Sequence, residues 1–145
     1  MLTDYIALDL ETTGLKPGED EIIEIGLVRV MKGEVVDTYS TLIRPVNFPP
    51  RRILELTGIS RSELAGAPSW PEVRDMIEPY LRLHPVTGYN VGFDIAFLRA
   101  QGVTVPEPVF DVLVPVRIFF PHLPSYQLGE VLHWLGLAGG RYHRA

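Results

Sequence analysis

The sequence predicts an α/β fold: one mixed sheet with helices packed on it. Three observations carry that expectation. Strand-like segments joined by short polar turns fill the chain as far as Ile43. Beyond Arg51, helical spacing alternates with short apolar strands, the pattern of parallel strands and crossover helices. The 145 residues, 46% hydrophobic and 21% charged, suit one domain with one sizeable core.

The elements follow in order. Residues 4–10 read as a buried strand, and Lys16 to Asp20 as a polar turn. Glu21 to Val30 alternates, with Ile23, Ile25 and Leu27 against Glu24 and Arg29, so it reads as a second strand. Lys32-Gly33-Glu34 turns the chain into a third strand, Val35 to Ile43. This is an antiparallel meander that leaves the first strand free to sit at the sheet's centre. Arg51 to Thr57 reads as a short helix closed by Gly58, and Ser60 to Leu64 as another. Ser69-Trp70-Pro71-Glu72 is a strong helix start, with Ser as N-cap, Pro in the first turn and Glu three residues on. Val73, Ile77, Tyr80 and Leu81 continue it at helical spacing. Pro85 to Tyr89 is a short fourth strand, leading through Asn90 into a helix that Gly102 ends. Pro108 to Phe110 is a fifth strand, and Asp111 caps a helix through Phe119. Ser125 caps a last helix with Leu128, Val131, Leu132 and Leu135 on one face.

Composition excludes several chemistries. The absence of cysteine removes disulfides, zinc–thiolate sites and thiol nucleophiles, and fits a cytoplasmic setting. No apolar run is long enough to cross a bilayer, and no basic leader precedes the first strand. A net charge of -5 argues against a protein that coats long duplexes. It is compatible with one that grips a strand end through metal ions.

Three sites stand out. Asp9 and Glu11 end the first strand one residue apart, so both point to the same face. Each raises the other's pKa unless a cation lies between them, and an all-oxygen set suits Mg2+ or Mn2+. A lone D-x-E is more often a solvated acidic strand end. Asp94 falls in the first turn of a helix that starts at a strand's end, where it complements the helix dipole or joins a metal cage. His143 follows a flexible Gly139-Gly140-Arg141-Tyr142 lead-in. It is an exposed terminal histidine or a general base of suitable pKa.

Taken together, these residues resemble the DnaQ-like exonucleases of the DEDD superfamily, in the branch that uses histidine. Asp9-Leu10-Glu11-Thr12-Thr13-Gly14 is similar to the first motif. Asn90-Val91-Gly92-Phe93-Asp94, with Phe97 and Leu98, is similar to the second, and His143-Arg144-Ala145 to the opening of the third. Leu56-Thr57-Gly58-Ile59 matches a segment common between them. The intervening stretches look most like the exonuclease domain of DinG-type helicases or the proofreading domain of bacterial polymerase III.

The resemblance implies a ribonuclease H-like fold and 3'-to-5' hydrolysis of phosphodiester bonds, mainly in single-stranded DNA, with two Mg2+ or Mn2+ ions. It implies Asp9, Glu11 and Asp94 as metal ligands and His143 as the base that deprotonates water. Thr12, Thr13, Gly14, Leu15 and Asn90 are the implied substrate contacts. A fused helicase or polymerase region is the implied partner. Trimming of RNA ends, or binding of a strand end or a partner without catalysis, are the alternatives. The family's third motif continues to an Asp five residues past the histidine, which would be position 148, whereas the sequence stops at Ala145. The expectation is a single exonuclease domain cut within its third motif, without its last helix and nearly inactive as it stands.

Overall fold

The computed structural model describes residues 2–137 and Ala145. Its elements are β1 (Tyr5–Thr12), β2 (Ile22–Met31), β3 (Glu34–Leu42), α1 (Arg51–Thr57), α2 (Arg61–Gly66), α3 (Trp70–Leu81), β4 (Val86–Gly88), α4 (Gly92–Ala100), β5 (Val109–Asp111), α5 (Leu113–Phe119) and α6 (Leu128–Trp134). The sheet order is β3-β2-β1-β4-β5. β3, β2 and β1 form the antiparallel meander, and β4 and β5 add to it in parallel. β1 is therefore the central strand, as its apolar character requires.

Alternation along β1 sorts its side chains between two faces. Ile6, Leu8 and Leu10 are buried in one cluster with Ile25 and Leu27 of β2. Val73, Ile77 and Leu81 of α3 and Phe97 and Leu98 of α4 complete that cluster. Ala7, Asp9 and Glu11 take the other face. Across the β1–β2 ladder, Asp9 pairs with Gly26 and Glu11 with Glu24. The register then shifts between Glu11 and Thr12. A bulge there bends the strand end away from the ladder immediately after the two acids.

The local signals explain the helix ends that set this geometry. α1 stops at Gly58, which takes the left-handed conformation at φ 70° and donates its N–H to the Leu54 carbonyl. A smaller cluster of Ile23, Ile59 and Leu64 holds α1 and α2 beside β2. At the start of α3, Glu72 reaches back to the Ser69 N–H at 2.7 Å and to its hydroxyl at 2.6 Å.

Two expectations need correction. Asp111 acts one residue earlier than a helix cap. The N-cap position of α5 is Val112, and Asp111 Oδ1 accepts both Leu113 N–H at 2.9 Å and Asn90 N–H at 2.8 Å. It thus joins β5 to the turn that precedes α4. The last helix starts at Leu128 rather than after Ser125, whose hydroxyl accepts the Gln127 N–H. Of its expected apolar face, Val131 is buried, while Leu128 and Leu135 are 36% and 37% exposed. Among the described residues no helix is long and apolar enough to cross a membrane.

Candidate active site

The fold brings the first two motifs together at one end of the sheet. β4 runs parallel to β1, with Ile6 opposite Val86 and Ala7 opposite Thr87. The chain leaves β4 through Gly88, which lies so close to β1 that a Cβ would sit 2.6 Å from the Leu8 carbonyl oxygen. Asn90 makes the turn at φ 57°. α4 then presents Asp94 in its first turn. Asp94 is buried, and its Oδ1 accepts the Leu10 N–H at 3.0 Å. Leu10 separates Asp9 from Glu11, so this bond ties the third carboxylate to β1 midway between the other two.

The electrostatics report the crowding. The Asp94 carboxyl is pushed up to about 8, first by burial and then by the charges of Asp9 and Glu11. Two backbone N–H groups, those of Asp94 itself and Leu10, offset only part of that rise. Asp9 is pushed up to about 6, first by burial and then by Glu24. Solvent reaches the Asp9 side chain, yet its carboxylate still lies largely among protein atoms and is partly desolvated.

The strand pattern alone did not reveal Glu24 as part of this group. It is buried at 2% exposure, directly across from Glu11 on the site face. Its Oε2 accepts the Ala145 N–H at 3.0 Å. The Ala145 backbone packs on Gly26, where a Cβ would overlap the Ala145 carbonyl carbon. The only sequence signal for Glu24 is an acid flanked by Ile22, Ile23 and Ile25. His143 lies outside the described residues.

Among the described residues no three His, Asp or Glu side chains are grouped closely enough to hold an ion. Asp94 Oδ1 is engaged by the Leu10 amide. The donor chemistry still fits a hard divalent cation. All donors are carboxylate oxygens, and two of the groups are held far above their ordinary pKa, first by burial and then by neighbouring carboxylates whose charge a cation would offset.

A cavity of about 660 Å³ opens beside Glu11. Thr12, Gly14 and Leu15 line it together with Arg52 and Leu56 of α1 and Phe93 of α4. The Phe93 ring packs 4.9 Å from that of buried Phe97. Of the expected substrate contacts, Thr12, Gly14 and Leu15 reach this cavity, whereas Thr13 and Asn90 do not line it. Thr13 is engaged within its own loop, and Asn90 shapes the turn before α4. Arg52, in the first turn of α1, also lines the cavity.

Comparison with known proteins decides the family. The RNase_T exonuclease family model matches residues 6–145. The chain belongs to the exonuclease family. It is 34% identical, over 98% of its length, to the PolC-type DNA polymerase III of Clostridium perfringens, and covers 10% of that protein. It is 33% identical to the DNA polymerase III epsilon subunit of Aquifex aeolicus, covering 97% of this chain and 72% of that one. The chain thus spans about a tenth of the length of the PolC-type relatives it matches. The fold superposes on a zinc-bound complex of Escherichia coli exonuclease I with single-stranded DNA, with a TM-score of 0.84 at 19% identity over 99% of this chain and 37% of that one. The exonuclease family generally uses divalent metals.

Proposed function

We propose that this chain is the exonuclease domain of a 3'-to-5' exonuclease that removes nucleotides from the 3' ends of single-stranded DNA. The observation that carries the proposal is the meeting of Asp9, Glu11 and Asp94 at one sheet end, beside a cavity that Phe93 helps line. Exonuclease relatives and a structural neighbour bound to single-stranded DNA support the same reading.

Asp9, Glu11 and Asp94 would hold two divalent ions, Mg2+ or Mn2+. When bound, such ions neutralise the phosphate and stabilise the attacking and leaving oxygens of an in-line displacement. The protein supplies position. Phe93, fixed by Phe97, and the exposed Leu15 offer apolar surface to the terminal base. Stacking of that kind tolerates any base, so the site selects a free end rather than a sequence. Arg52 brings a positive charge to the phosphate backbone. His143 takes the proton of the attacking water, a role assigned from its motif. A cytoplasmic replication or repair assembly, with a polymerase or helicase region on the same chain, is the proposed setting.

The test is trimming of a fluorescently labelled oligonucleotide by the full-length protein with Mg2+ or Mn2+. Asp9→Ala removes a ligand from an accessible position, so it should abolish trimming and leave the circular dichroism spectrum unchanged. Metal-dependent degradation by that variant would contradict the assignment.

A further inference from the structure

The loop between β1 and β2 is built around a carboxylate that does not line the cavity. Asp20 Oδ2 accepts the Lys16 N–H at 2.9 Å, and Oδ1 accepts the Thr13 hydroxyl at 3.4 Å. The Asp20 N–H returns to the Lys16 carbonyl at 2.8 Å. Thr13 closes the base of the loop: its N–H donates to the Glu21 carbonyl at 2.8 Å, and its hydroxyl accepts the Glu21 N–H at 2.9 Å. Glu21 in turn anchors the loop from outside, accepting the N–H groups of Val46 and Asn47 at 2.6 and 2.8 Å. Gly14 packs directly on the carboxylate, so that a Cβ there would overlap Asp20.

This strut matters because of what it carries. Thr12, Gly14 and Leu15 line the cavity beside Glu11. Leu15 is 80% exposed, so core packing does not hold it in place. The turn's shape comes from the Thr12 hydroxyl on the Gly14 carbonyl at 2.6 Å and from the Asp20 bonds behind it. A bond to a charged acceptor contributes more than a neutral one, and a glycine pressed on that acceptor fixes the distance between them.

We propose that Asp20 is a positioning residue of the strand-end site: its carboxylate holds the Thr12–Leu15 turn in the shape that receives the terminal nucleotide. The inference rests on the exonuclease reading and adds the residue that sets its substrate affinity. Loss of the strut acts on binding in ground and transition states alike, so it raises KM and spares kcat.

The experiment compares wild type, Asp20→Ala, Asp20→Asn, Gly14→Ala and the Gly14→Ala/Asp20→Ala double variant of the full-length protein. Steady-state trimming is measured with Mg2+, and oligonucleotide binding by anisotropy with Ca2+. Asp20→Ala should raise KM and Kd about tenfold, with kcat within about twofold. Asp20→Asn should fall between wild type and Asp20→Ala, because its amide oxygen still accepts the Lys16 N–H and its NH2 donates to Thr13, but without the charge. Gly14→Ala should weaken binding alone but add little to Asp20→Ala, since the overlapping carboxylate is gone. Lys16 amide exchange should quicken in both variants that carry Asp20→Ala and not in Asp20→Asn. An unchanged Kd in Asp20→Ala, an Asn variant as weak as the Ala variant, or additive effects in the double variant would overturn the proposal. A wild type that binds the oligonucleotide through this loop without metal-dependent trimming would instead overturn the exonuclease reading and leave the strut standing.

Discussion

Replacing Asp94 with asparagine should make the metal-free protein more stable while removing its response to metal. Asp94 is 4% exposed, and its carboxyl is raised from 3.8 to about 8. A raised acid means that the folded state binds the proton more tightly than the unfolded chain. Stability is therefore greatest below about pH 4 for this group and falls as pH rises toward 8, where the unfolded chain has already ionised. The full shift corresponds to at most ~6 kcal/mol. The charges of Asp9 and Glu11 contribute part of it, and solvent reaches the neighbouring Asp9, so ~2 kcal/mol is the expected gain at pH 8. Asparagine keeps an oxygen for the Leu10 N–H and removes the buried charge. The assay is urea unfolding across pH in EDTA, and then with Mn2+. Wild type should lose stability from about pH 4 to 8 in EDTA and regain it with Mn2+, whereas Asp94→Asn should be flatter with pH and indifferent to Mn2+. A wild type at least as stable as Asp94→Asn at pH 8 in EDTA would refute the electrostatic argument. Equal stabilisation of both by Mn2+ would refute the role of Asp94 in holding metal.

Other consequences can be checked separately. Arg52→Ala should weaken single-stranded DNA binding regardless of sequence and reduce the slope of log K against log salt by about 0.7, the share of one phosphate contact on a single strand. An unchanged slope in salt titrations would remove Arg52 from the strand path. Gly88→Ala should cost more than ~2 kcal/mol in chemical unfolding, because its Cβ meets the Leu8 carbonyl of the neighbouring strand at 2.6 Å. A variant as stable as wild type would show that β1 and β4 separate more easily than their register implies.

Much of this arrangement could be read from the chain because its signals are local. Asp9 and Glu11 share a face by strand alternation alone. Gly58 ends α1, and Ser69 with Glu72 starts α3, through bonds that span a few residues. The features that sequence reasoning missed depend on register and long-range closure. Glu24 belongs to the site because the β1–β2 ladder sets it opposite Glu11. A one-residue slip would turn it to the other face. Arg52 enters because Ile23, Ile59 and Leu64 pin the helical segment beside the strand end. Asp111 looked like a helix cap because its second partner, the Asn90 amide, lies 21 residues away. The carboxylates and their mutual repulsion were legible as a set, but the burial that raises Asp94 most was not, because it depends on how α4 packs against β1.

The central claim is that the acids of β1 and α4 serve hydrolysis from a 3' end. The most direct test follows one single-stranded oligonucleotide, labelled at its 5' end in one reaction and at its 3' end in another, with Mg2+ and the full-length protein. The account predicts a 5'-labelled ladder that shortens one nucleotide at a time and immediate release of the 3' label as a mononucleotide, with neither product in EDTA. Internal fragments, or early release of the 5' label, would contradict it.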